Sequence, residues 1–201
     1  MTVTPRVVAL ASIALTLAVV YGLWYAFSVV LVALLNEFGW SRSTLAGAFS
    51  VFMLMHGGLS PVVGALCARA RPSRVMAAGG VALSIALLGV SLVAQPWQLY
   101  LSFGVVTAAA VASCGWVPSL VHVQRSFPDR LGLAMGIASA GVGVGIFVVV
   151  PAFQALIDAF GWRAAFRAFA LICLLWIVPS SLLLLREPAR GAATRARDTT
   201  A

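Results

Sequence analysis

Six runs of about twenty or more apolar residues, parted by short arginine-bearing breaks, constrain this chain more than any other feature. A bilayer core is about 30 Å thick, so a helix needs about 20 apolar residues to cross it. Backbone groups in lipid must be satisfied within their own segment, so runs of this kind must be helical. The pattern predicts an all-α polytopic membrane protein with helices over 7–35, 44–67, 75–94, 97–123, 131–155 and 163–185. It divides the chain into a six-helix transmembrane domain over 1–188 and a cytoplasmic disordered tail over 189–201. The first run is too long for a signal-peptide core and reads as a retained membrane helix.

Composition agrees: 62% of residues are hydrophobic, 9% are charged, and mean hydropathy is +1.06. A soluble domain of this size could not clothe its surface with so few charges. The net charge of +8 does not indicate nucleic acid. All the basic residues are arginine, and they sit at the ends of apolar runs, where they meet lipid headgroups. Arg6, Arg69, Arg71, Arg74, Arg125, Arg130, Arg186, Arg190, Arg195 and Arg197 fall on one side of the predicted topology. Only Arg42, Arg163 and Arg167 fall on the other. Excess arginine marks the cytoplasm, which predicts both termini inside a cell (inner or plasma) membrane.

The breaks carry turn chemistry. Ser41 or Ser43 can cap the second helix, and Pro72 interrupts the chain before the third. The stretches Glu37-Phe38-Gly39-Trp40 and Asp158-Ala159-Phe160-Gly161-Trp162 echo each other, which local helix-end chemistry explains: glycine after a helix end and tryptophan at headgroup depth.

Tyr21, Trp24, Tyr25 and Ser28 fall on one face of the first helix. Their polar groups should turn that face into the bundle, either for hydrogen bonds between helices or to line a cavity. His56 lies about halfway along the second helix. An ionisable group at that depth is a functional candidate by default, and a neutral, packed histidine is the alternative. His122 lies near the cytoplasmic end of the fourth helix, within reach of water. Gly132, Gly136, Gly141, Gly143 and Gly145 make the fifth helix glycine-dense, which predicts close helix packing. Pro151 can kink it.

No enzyme is indicated. Ser139 lacks the glycine two residues before it that an intramembrane serine protease would show. His56 and His122 form no metal pair at helical spacing. Cys67, Cys114 and Cys173 lie in separate runs, read as buried small residues, and no cofactor is implied.

The stretch Gly64-Ala65-Leu66-Cys67-Ala68-Arg69-Ala70-Arg71-Pro72-Ser73-Arg74 resembles the G-x-x-x-D-R-x-G-x-R loop of the major facilitator superfamily. Gly64 and Arg69 match its glycine and first arginine, and Arg74 lies one residue past its last. Ala68 stands in place of the acid, which removes one side of that loop's charge lock. Arg125-Ser126-Phe127-Pro128-Asp129-Arg130, leading into the glycine-rich fifth helix, resembles the R-x-F-x-x-R motif of the monocarboxylate-porter and oxalate–formate-exchanger branch. Phe38-Gly39-Trp40-Ser41-Arg42 and Phe160-Gly161-Trp162-Arg163 are similar to its bacterial members. The animal carriers' lysine in helix one has no counterpart.

The resemblance implies secondary transport of a small solute, such as a monocarboxylate, by alternating access. It implies the N-terminal half of a two-half bundle, working with a second six-helix half, as a second copy of itself, or as a truncated relic. Helices one and four line the cavity in such a half, which adds Thr107, Cys114 and Ser119 to Tyr21, Tyr25, Ser28 and His56. Gly64, Arg69, Arg74, Arg125 and Arg130 would be gating-loop residues. Lipid and a small solute are the implied partners. The alternative is a non-transporting membrane protein that binds or regulates a partner.

Overall fold

The computed structural model describes residues 3–184. Among them there is no strand, and six segments are long and apolar enough to cross a membrane: Arg6–Phe38, Arg42–Arg69, Pro72–Ser91, Pro96–Ser126, Pro128–Phe160 and Trp162–Leu183. The predicted tail, with Arg186, Arg190, Arg195 and Arg197, lies outside the described residues.

The first span comprises α1 (Val3–Tyr25) and α2 (Phe27–Phe38). The break at Ala26 leaves no backbone group stranded. Its N–H donates to Gly22 O at 2.9 Å, and Val29 and Val30 both donate to its carbonyl. Gly39 ends α2 in the left-handed region, φ 64°, with its N–H on Leu35 O. Ser41 caps α3 (Arg42–Arg69) by accepting the Thr44 N–H at 3.1 Å. Pro72 opens α4 (Pro72–Ser91), where its missing N–H costs nothing.

The fourth span is not the single helix expected over 97–123. It begins with α5 (Pro96–Leu99), capped reciprocally by Gln95 and Gln98. It loosens into π geometry over Tyr100–Thr107, then resumes as α6 (Ala108–Cys114) and α7 (Trp116–Ser126). The Thr107 hydroxyl donates to Ser102 O, five residues back, at 2.8 Å, a bond that fits the wider turn. The break at Gly115 follows from Pro118, which brings no N–H to the ladder. A short 3₁₀ turn, Pro128–Arg130, leads into α8 (Leu131–Phe160), which runs unbroken through Pro151. α9 (Trp162–Pro179) begins after Gly161, φ 81°, and passes into a π turn over Ser180–Leu184.

The closest helix pair is α1 with α8. Ala14, Ala18 and Gly22 meet Gly141, Gly145 and Val149 in order, so the two helices run parallel. A methyl group on Gly141 or Gly145 would overlap the α1 backbone, so the seam needs glycine there. Gly132, Gly136 and Gly143 were expected to pack in the same way and do not. A methyl group on any of them would meet open space, because helical periodicity puts them on other faces of α8.

α4 packs on α9 through Gly80 and Ile177, and on the end of α6 through Gly79. The Tyr100 hydroxyl crosses Gly47 to donate to Thr44 O at 2.9 Å, joining the second and fourth spans. Aromatic side chains fill the core: Phe103 stacks on Phe27 at 4.4 Å and on Phe52 at 4.9 Å, and Phe153 meets Phe166 and Phe169. In the most apolar stretch of each span, only 17% of the second and 28% of the fifth is buried, against 56% of the first, third and fourth. The second and fifth helices therefore turn most of their surface away from this bundle.

Candidate functional site

The polar face of the first span points out of the six-helix bundle, not into it. Tyr25 is 51% exposed, and Ser28 is exposed with its hydroxyl donating to Tyr25 O at 2.9 Å. Tyr21 is half-buried beside Gly115, where the break in the fourth span makes room for its ring. The reversal has a simple cause. The opposite side of the helix carries Gly22, Leu23, Ala26, Phe27 and Val30, which are buried in the core.

Trp24 joins this face to the second span. It stacks on Tyr21 at 5.4 Å and on Tyr25 at 6.4 Å, and meets His56 edge-on at 4.7 Å and Phe52 edge-on at 4.8 Å. His56 is half-buried, its ring edge-on to Trp24 and parallel to the more distant Phe52 ring, 6.2 Å away. Tyr21, Tyr25, Ser28 and His56 thus form one aromatic and polar surface near the middle of the bundle's long axis, organised by Trp24.

Thr107, Cys114 and Ser119 do not join it. Thr107 and Ser119 are buried and spend their hydroxyls on Ser102 O and Gly115 O, and Cys114 is fully buried against Gly79. Thr107 borders a void of about 10 Å³ beneath Trp24, otherwise walled by apolar side chains such as Phe52 and Phe103. His122, expected near water, is 1% exposed, because α7 turns it between neighbouring helices. All three cysteines are buried.

The Arg-rich end is held by a backbone contact. The Arg125 guanidinium donates to Cys67 O at 3.0 Å, engaging a carbonyl in the last turn of α3. A cation there also opposes the negative end of the helix dipole. The contact ties the start of one predicted gating loop to the other without the acid that Ala68 replaces. A methyl group on Gly64 would meet Val117 at ordinary contact distance, while Arg69, Arg74 and Arg130 are exposed.

At the opposite end the two echoing loops meet. The Glu37 carboxylate accepts the Trp162 indole N–H on one oxygen and the Arg163 guanidinium on the other. Arg163 lies 4.3 Å from the Trp162 ring centroid and 5.6 Å from that of Phe38, and also reaches Val93 O at 3.3 Å. Phe38 stacks on Trp40 at 4.4 Å. Local helix-end chemistry had accounted for the echo, and this cross-chain role was missed. The matched loops were the available signal.

The sequence model of the Major Facilitator Superfamily matches residues 13–200. The chain belongs to that superfamily. It is 32% identical to monocarboxylate transporter 4 of Mus musculus over 184 residues, covering 89% of this chain and 39% of the relative. It is 29% identical to monocarboxylate transporter 13 of Rattus norvegicus over 166 residues, covering 83% of this chain and 39% of the relative. It is 30% identical to the MFS-type transporter pynF of Aspergillus niger over 152 residues, covering 75% of this chain and 34% of the relative. The chain thus spans about two fifths of the length of these curated relatives.

Membership in the superfamily makes this a multi-pass membrane protein in the company of transporters, not enzymes, and matches its six spans to the N-terminal half of the superfamily bundle. The arrangement suits recognition rather than bond chemistry. The open surface offers hydroxyls, an imidazole and aromatic faces, and among the described residues no group of His, Cys, Asp or Glu could hold a metal.

Proposed function

We propose that the chain forms one wall of a pathway that carries a small solute across the membrane by alternating access. The supporting observation is the surface of Tyr21, Trp24, Tyr25, Ser28 and His56, turned away from the core halfway along the bundle. Superfamily membership and the names of the relatives point the same way. Transporters of this general kind bind solute near the midplane between two repeats, and one six-helix bundle supplies one side of such a site.

Hydroxyls left facing lipid would cost several kcal/mol each, about 2–7 by transfer measurements. The exposed Tyr25 hydroxyl therefore favours a second bundle opposite, either another six-helix half or a second copy of this chain. A small organic anion such as a monocarboxylate is the proposed solute, with tyrosine hydroxyls and His56 as donors to a carboxylate. The arginine asymmetry supports a cytoplasmic position for both termini.

The test is uptake of labelled short monocarboxylates into cells expressing the chain with its partner bundle. Tyr25→Phe and His56→Ala should each lower uptake about tenfold or more, the loss of one charge-assisted hydrogen bond. Full uptake in both variants, or none for any monocarboxylate, would overturn this assignment of site or solute.

A further inference from the structure

Below Gly141 the seam between α1 and α8 opens. Farther out, Ala14 on Gly141 and Ala18 on Gly145 close it completely. Toward the helix starts, the same parallel register brings Leu10 opposite Ile137 and Arg6 opposite Leu133, side chains too large for backbone contact. The result is a groove of about 430 Å³ whose lining includes Arg6, Leu10, Asp129, Arg130, Leu133 and Ile137. Leu133 is 63% exposed and Ile137 41%, so the groove is open along its side.

Its lining sets two guanidiniums against one carboxylate, that of Asp129, and so carries a net positive charge. Arg6 and Arg130 both line it, and among the described residues neither has an acidic side chain within ion-pair distance. α8 also begins here, at Leu131, and turns its positive end toward the groove. The Arg-bearing end of a span sits at headgroup depth, and the leucine and isoleucine walls run from there toward the hydrocarbon.

We propose that this groove is a binding site for an anionic phospholipid. The headgroup phosphate sits between Arg6 and Arg130, and an acyl chain lies along Leu10, Leu133 and Ile137. The charge selects an anion, and the apolar walls select one that carries a hydrocarbon chain. A soluble anion would leave Leu133 and Ile137 uncovered, and a zwitterionic lipid would set a choline cation against two guanidiniums. The proposal rests on the membrane-spanning fold and is independent of transport.

The test is native mass spectrometry of the purified full chain in non-ionic detergent, with added phosphatidylglycerol or phosphatidylcholine of identical acyl chains. Phosphatidylglycerol adducts should predominate. The double variant Arg6→Gln/Arg130→Gln should lower that preference roughly twenty-five-fold, each guanidinium near a surface phosphate being worth roughly fivefold. Arg6→Lys/Arg130→Lys should keep most of it, and Arg42→Gln at the other end of the bundle should leave it unchanged. Equal binding of the two lipids, or a preference that survives the double glutamine variant, would overturn the proposal. Displacement of phosphatidylglycerol by millimolar inorganic phosphate would assign the groove to a soluble anion instead. A shift from dimer to monomer in the glutamine variant, with lipid binding unchanged, would assign it to a second copy of the chain.

Discussion

Glu37 and Arg163, 126 residues apart, form an ion pair that joins the end of the first span to the start of the sixth. The Trp162 indole shares the same carboxylate, so one acid holds two donors from one loop. Both charged side chains are over a third exposed, which limits the value of the ion pair alone to about 1 kcal/mol or less. The indole bond to a charged acceptor adds about 1.5–3 kcal/mol.

Glu37→Ala should therefore destabilise the purified chain by about 2 kcal/mol, and Arg163→Ala by about 1 kcal/mol or less. Thermal unfolding followed by circular dichroism in detergent measures both. Equal, negligible losses would show that the loops hold together by aromatic stacking alone.

The glycines of α8 should divide into two classes. Gly141→Ala and Gly145→Ala push a methyl into the α1 backbone and should cost about 1–3 kcal/mol or more. Gly136→Ala and Gly143→Ala meet open space and should be neutral, or stabilising by up to about 1 kcal/mol through helix propensity. The same unfolding measurement separates the classes, and a uniform response across the four sites would refute the packing described.

Orientation is open to a fusion test. A reporter active only in the cytoplasm should work when fused after Ala201 and be silent when inserted within 38–42. Activity at the second position would reverse the orientation inferred from the arginines.

The outward polar face can be probed by crosslinking on a background lacking Cys67, Cys114 and Cys173. Tyr25→Cys and Ser28→Cys should capture a second bundle with a short bifunctional reagent, because both positions are exposed. Tyr21→Cys should react less, being half-buried beside Gly115. A stable monomer that resists crosslinking at 25 and 28, and still transports, would refute the need for a facing bundle.

The six spans, a cap from Ser41 or Ser43 and the interruption at Pro72 were determined by the sequence itself. Each depends on near neighbours: a run of apolar residues, a hydroxyl three residues before an N–H, a ring with no N–H to give. Grouping Tyr21, Trp24, Tyr25 and Ser28 on one face was legible for the same reason. Only the tertiary structure decided that this face points outward, that Gly141 and Gly145 pack while Gly143 does not, that Thr107 and Ser119 are closed off, and that Glu37 finds Arg163. Helical periodicity tells which residues share a face but not which neighbour that face will meet. In water, hydropathy would settle the matter by sending the apolar face inward. In a membrane, the lipid outside a bundle is as apolar as its core, so hydropathy cannot tell inside from outside, and only the packing of one helix on another does.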